Sequence, residues 1–111
     1  IVSADRDFHE TFPLTWPHDP AARDKFPDRE QRGHLARMNA TLQLAYLIIA
    51  ARAHGLDIVP MTGYSSTRIP PRVLGDGDED LIAVVALGHA DDAATRPRDP
   101  RLPFERVVRF A

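Results

Sequence analysis

Two groups of residues in this 111-residue chain have the types and spacing for chemistry. The first is Pro60-Met61-Thr62-Gly63, in which proline fixes the entry to a turn. Glycine, lacking a side chain, lets a ligand come close to backbone N–H groups. A strand-end turn with no ligand has the same pattern. The second group lies in a tail that carries Arg96, Arg98, Arg101, Arg106 and Arg109, interrupted by Pro97, Pro100 and Pro103. Within it, Arg98 and Arg101 flank Asp99-Pro100 in a stretch stiffened by proline. Guanidinium forks suit phosphate oxygens, although an ordinary solvated basic tail looks alike.

Other signatures fail on inspection. The histidines, His9, His18, His34, His54 and His89, show no helical spacing of four and no HExxH pattern, so they read as solvated or locally bonded and no metal site is expected. Gly63-Tyr64-Ser65-Ser66-Thr67 lacks the second glycine of a nucleophile elbow, and a proline turn precedes it. Gly75-Asp76-Gly77 begins like a phosphate loop, but the carboxylates of Asp78, Glu79 and Asp80 next to it repel phosphate. That acidic run also lacks the register of a calcium loop, and it reads as a solvated turn. With no cysteine there is neither thiol catalysis nor a disulfide, which suits a reducing, cytoplasmic setting. No side chain is assigned a catalytic role.

The elements that must position these residues can be read from patterning. Ile1 to Ala4 reads as a short strand. The stretch through Pro13, Pro17, Pro20 and Pro27 carries Phe8, Phe12, Leu14, Trp16 and Phe26, enough apolar anchors for a packed lid or short helical turns. Asp28 with Gln31 three residues on resembles a capping box, and Gly33 weakens the next turn. From Ala40 to Ala53 apolar residues occupy two helical faces: Leu42, Ala45 and Ile49 on one, Leu44, Leu47, Ile48 and Ala51 on the other. Such a helix must be wrapped by other elements, and Gly55 is placed to cap it in a left-handed conformation.

Leu56 to Val59 reads as an extended run that breaks at Pro60, and Ser66 to Leu74 as a short helix in which Pro70-Pro71 either sits at the first turn or breaks it. Asp76 to Asp80 is expected to be a loop, and Leu81 to Leu87 a strand buried on both faces and ended by Gly88. Together these suggest a sheet with helices packed on it.

A 43% apolar and 27% charged composition is that of a globular domain, and the longest apolar run, Leu44 to Ala51, is far short of the roughly 20 residues of a membrane span. A formal charge of -2 gives no reason to expect nucleic acid. The chain opens Ile1-Val2-Ser3 as if already inside a strand, without Met, a basic leader or a hydrophobic signal core, so a preceding segment is expected.

Phe8-His9-Glu10, Phe12-Pro13-Leu14, Trp16-Pro17-His18, Asn39 through Gly63, Ala86-Leu87-Gly88-His89 and Arg98 through Glu105 run in an order that resembles the nitroreductase-like flavoproteins. The resemblance is nearest to the malonic semialdehyde reductases of bacterial pyrimidine utilisation. It covers nearly the whole chain and implies that residues 1–111 are the C-terminal part of one such domain. The implied fold is α+β, with a mixed central sheet and a long buried core helix. An intertwined homodimer is implied, with flavin mononucleotide (FMN) at the interface. Also implied is hydride transfer from NADH or NADPH through the flavin to a small aldehyde, malonic semialdehyde, giving 3-hydroxypropionate. The family's chemistry resides in the flavin, which needs neither nucleophile nor metal from the protein.

Carried over by position, Pro60, Met61, Thr62 and Gly63 resemble the turn against the flavin ring, with the Thr62 and Gly63 N–H groups as donors to N5 and O4. Arg98 and Arg101 resemble the residues that bind the flavin phosphate. Many nitroreductases carry Glu where Thr62 stands, and Lys where Asp99 stands. The family's early Arg-rich phosphate motif and its Asn-containing flavin contact belong upstream of Ile1. A nitroaromatic or quinone reductase of the same superfamily, and a non-enzymatic interaction module that keeps only the core, share most of these residues. Purified by itself, this chain is expected to aggregate or stay molten and to hold no stoichiometric flavin; a sharp melting transition with one bound flavin per chain contradicts that expectation.

Overall fold

The computed structural model describes residues 1–65, 67–75 and 77–110, with Pro71 described by its backbone. Three strands, β1 (Val2–Asp5), β2 (Asp57–Met61) and β3 (Glu79–Gly88), form a sheet in the order β1-β3-β2. Both pairings are antiparallel, so the mixed pairing expected of the complete sheet is not found among the described residues. One long helix, α2 (Arg29–Ala53), packs across all three strands. Short helices α1 (Phe12–Thr15), α3 (Pro70–Val73) and α4 (Phe104–Val107) and two 3-10 turns, Phe8–Thr11 and Arg23–Lys25, complete the described elements.

Local chemistry sets the ends of α2. Asp28 is extended, and its carboxylate accepts from the N–H groups of Glu30 (2.8 Å) and Gln31 (3.1 Å), satisfying two donors that the first turn leaves open. At the other end Gly55 takes φ +75°, a conformation that side chains resist. The Leu56 N–H then reaches the Ala51 carbonyl (2.9 Å) and the Gly55 N–H that of Arg52 (3.1 Å), the paired bonds of a Schellman cap. Gly33 does not interrupt the helix. It is buried, and a Cβ there meets the Arg6 side chain at 3.4 Å, about van der Waals contact, so Arg6 lies directly over this position.

The proline-rich stretch is packed as expected. Phe8, Phe12 and Phe26 form a mutual edge-to-face cluster with centroids 5.5–5.7 Å apart, and Trp16 joins through Phe12. His9 is an exception to the expectation for the histidines. It is buried, its Nε2 is 3.7 Å from Glu10, and its Nδ1 has no hydrogen-bond partner among the described residues. His18 accepts from the Trp16 indole N–H, while His34, His54 and His89 are exposed.

Three further expectations are corrected. Pro60 does not break β2: the strand continues through it to Met61, with Pro60 opposite Val85. This is tolerated because β2 is an edge strand of this sheet, where proline's missing N–H need not cost a ladder bond. Glu79 and Asp80 are not loop but the start of β3, paired with Asp5 and Ala4. Nor is β3 buried on both faces. Leu81 and Ala83 are buried together with Ala4 of β1, Ile82 and Val84 on the alternate face are only half-buried, and Ala86 and Leu87 toward the end of the strand are exposed. The short helix after β2 is reduced to Pro70–Val73 with proline in its first turn; Ser66, where it was expected to start, and Asp76 lie outside the described residues.

The acidic run is also not a solvated turn. Arg6 grips Asp80 with two bonds, Nε to Oδ2 at 3.0 Å and a terminal nitrogen to Oδ1 at 2.7 Å, and Arg29 grips Asp78 in the same way at 3.0 and 2.6 Å. Arg37 lies 3.6 Å from Asp80, and Arg32 donates to the carbonyls of Arg6, Phe26 and Pro27. The Arg6 hydrogen bond, aided by the charge of Arg37, holds the Asp80 carboxyl below the usual carboxylate range. Stability from this shift is therefore complete above that range and is lost as pH falls through the depressed value.

In the complete protein, replacing Asp80 with Ala is expected to cost about 2–3 kcal/mol in chemical denaturation at neutral pH and to flatten the acid limb of stability. A wild-type acid limb in D80A contradicts the assignment. Gly55→Ala, which forces a side chain into the left-handed region, is expected to cost about 1–2 kcal/mol in the same measurement.

Candidate functional site

β2 delivers the candidate turn. Met61, opposite Val84, is the last paired residue, and Thr62 and Gly63 come next as exposed backbone. Among the described residues neither of their N–H groups has a hydrogen-bond partner. Gly63 has no positive φ, so it is not required for a left-handed turn; a Cβ there meets nothing within 4 Å, so what the glycine leaves is open space. Beyond it Tyr64 is half-buried, and its hydroxyl donates to the Leu81 carbonyl of β3. Two free donors, open space and a fixed strand behind them suit one edge of a planar, hydrogen-bond-accepting ring.

The arginines lie elsewhere. The chain leaves β3 at Gly88, opposite Asp57, whereas Pro60 and Met61 stand at the other end of β2 beside Val85 and Val84. The departure is pinned by the Asp57 carboxylate, which accepts the Ala90 N–H at 2.8 Å and pairs with Arg52. From Ala90 to Pro103 there is no helix or strand, and Arg98 and Arg101 are exposed. Arg101 donates to the Asp99 carbonyl at 3.0 Å. Neither arginine has a carboxylate partner among the described residues, in contrast to Arg6, Arg23, Arg29, Arg32, Arg37 and Arg52.

No hydrogen bond or ion pair among the described residues joins Arg98 or Arg101 to Pro60–Gly63. The two groups of candidate residues are therefore not brought together among the described residues.

Sequence reasoning overlooked Tyr64. Its only signal was an aromatic residue with a hydroxyl next to the glycine of the turn. A cleft of about 370 Å³ between β1 and α2, lined by residues that include Ser3, Phe8, Phe12, Asn39 and Gln43, contains none of the turn or tail residues. No helix is long and apolar enough to cross a membrane.

Comparison with known proteins agrees with this architecture. The crystal structure of a Bacillus subtilis "putative nitroreductase" superposes with a TM-score of 0.83 over 98% of this chain and 61% of its own, at 17% identity. The fold is thus the α+β nitroreductase-like fold. In sequence the chain is similar to nitroreductase-like proteins. It is 45% identical over 109 residues to a Streptomyces griseus protein named "Putative NADH dehydrogenase/NAD(P)H nitroreductase", covering 97% of this chain and 55% of that protein. It is 41% identical over 110 residues to a Xanthomonas oryzae protein of the same name, covering 99% and 56%. The chain spans about half the length of these relatives, and no protein-family model matches it.

If the exposed turn depends on the edge strand behind it, Met61→Pro, which fixes φ and removes an N–H, is expected to loosen it. The predicted readout is faster backbone hydrogen exchange at Ile58, Val59 and their β3 partners, with protection of α2 unchanged. Equal protection throughout contradicts the dependence.

Proposed function

We propose that this chain is the C-terminal part of an FMN-dependent NAD(P)H oxidoreductase of the nitroreductase type. The observation that carries the reading is the exposed Thr62–Gly63 turn, whose N–H donors have no partner among the described residues, at the end of β2 on a nitroreductase-like fold. The names of the relatives, which specify NAD(P)H nitroreductases, support the same class.

In this reading Pro60 and Met61 hold the turn in line with the sheet, and the Thr62 and Gly63 N–H groups stabilise the electron-rich reduced ring. Arg98 and Arg101 bind the phosphate, a role their planar donor forks suit. FMN held there would supply the two-electron hydride chemistry that links NAD(P)H to the acceptor. For the acceptor we propose malonic semialdehyde, on the family resemblance of the aromatic-Pro-His element Trp16-Pro17-His18 and the turn. A nitroaromatic or quinone acceptor is the second reading, favoured by the relatives' names.

The active protein is proposed to be a homodimer. Met38, Leu42, Tyr46 and Ile49 on the outer side of α2 are 48–74% exposed, and Leu102, Phe104, Val107 and Phe110 on the tail 56–84%. Apolar surface of this extent is what association covers.

Reoxidation of the reduced complete protein by malonic semialdehyde, a nitroaromatic and a quinone decides among the acceptors: the aldehyde is expected to react fastest, and a faster nitroaromatic or quinone favours the second reading. Arg101→Ala is expected to weaken FMN binding by roughly ten- to a hundredfold, the loss of one charge-assisted phosphate contact. Unchanged affinity removes Arg101 from the phosphate site.

A further inference from the structure

Between the last ladder pair of β2 and the next tertiary contact there are two residues, Thr62 and Gly63, whose backbone hydrogen bonds go to nothing among the described residues. A strand end of this kind normally frays. Here the next residue acts as a tether: Tyr64 is half-buried between exposed neighbours, and its hydroxyl donates to the Leu81 carbonyl, 17 positions away on β3. The acceptor sits on a rigid base. Leu81 is 7% exposed, pairs with Ser3 of β1, and directly succeeds Asp80, which Arg6 holds with two hydrogen bonds. The turn is thus clamped on one side by the Met61–Val84 pair and on the other by the Tyr64 hydroxyl.

We propose that Tyr64 is a positioning residue that aims the Thr62 and Gly63 N–H groups at the ring edge through its bond to the Leu81 carbonyl, and so tunes the redox balance of the bound flavin. The proposal rests on the flavin reading above. Tyr64 does not touch the ring in this assignment; it limits the motion of the two residues that do. Fixed donors aimed at developing charge stabilise it without reorganisation, whereas mobile donors must first be ordered. Loss of the hydroxyl therefore disfavours the reduced flavin more than the oxidised one. An aromatic ring alone fills the half-buried space and keeps the fold, so only the hydroxyl separates positioning from packing.

The experiment is Tyr64→Phe in the complete FMN-loaded protein, with the flavin midpoint potential measured by dye equilibration alongside its visible spectrum and thermal melt. The expected result is stoichiometric FMN and a near-wild-type melt. The reduced-to-oxidised equilibrium should shift about three- to tenfold toward oxidised flavin, tenfold being about 30 mV for a two-electron couple. As a second probe, 3-fluorotyrosine at position 64 keeps the hydroxyl and should leave the potential nearer wild type than Y64F does. A Y64F protein with wild-type potential and spectrum overturns the positioning role while leaving the flavin reading intact. A wild-type complete protein that binds no FMN overturns both.

Discussion

The two-bond ion pair between Arg6 and Asp80 is the contact on which the rest of the arrangement depends. It lies where β1 ends, where β3 begins and where the first turns of α2 cross the sheet. Arg6 passes over Gly33, and the Arg6 carbonyl is held in turn by Arg32 of the same helix. A carboxylate at the start of a central strand is costly unless it is neutralised, and here three guanidinium groups gather around Asp78 and Asp80. With that start fixed, the register of β3 against both neighbours is set, and β2 carries Pro60–Gly63 to a defined place.

The same frame leaves much apolar surface open. One face of α2 packs on the sheet through Gly33, Ala36 and Ala51, small residues that allow close approach, while the opposite face presents Leu42, Tyr46 and Ile49 to solvent. The radius of gyration is 18.0 Å, against about 13 Å for a compact chain of this size, and every residue from His89 to Phe110 is exposed. A core helix with an uncovered face and a tail with exposed Leu102, Phe104 and Phe110 are what a chain shows when further protein covers its apolar surface. The proposed dimer answers that deficit.

Features governed by near neighbours were legible in the residues. Asp28 two and three positions before its N–H partners, Gly55 just past the helix, and proline at the first turn of α3 each act through local geometry. Features made by distant partners were not. The run Asp78-Glu79-Asp80 has the local look of a solvated turn because the residues that neutralise it, Arg29 and Arg6, lie 49 and 74 positions away. Pro60 looked like a break because its tolerance depends on β2 being an edge strand, a property of the sheet and not of the segment. His9 looked solvated for a similar reason: the Phe8, Phe12 and Phe26 cluster that forms beside it is assembled from across the stretch. Of the candidate site, the turn was visible as Pro60 and Gly63, but the Tyr64 tether needed the strand it reaches.

The central claim is that Thr62 and Gly63 present their backbone N–H groups to a flavin ring. The most direct measurement is the ¹H–¹⁵N amide spectrum of the isotopically labelled complete protein during FMN titration, monitored at these two residues. Both amide protons are expected to move downfield in proportion to FMN occupancy, as they gain hydrogen-bond acceptors. Saturable FMN binding that leaves both amides unmoved while others shift contradicts it.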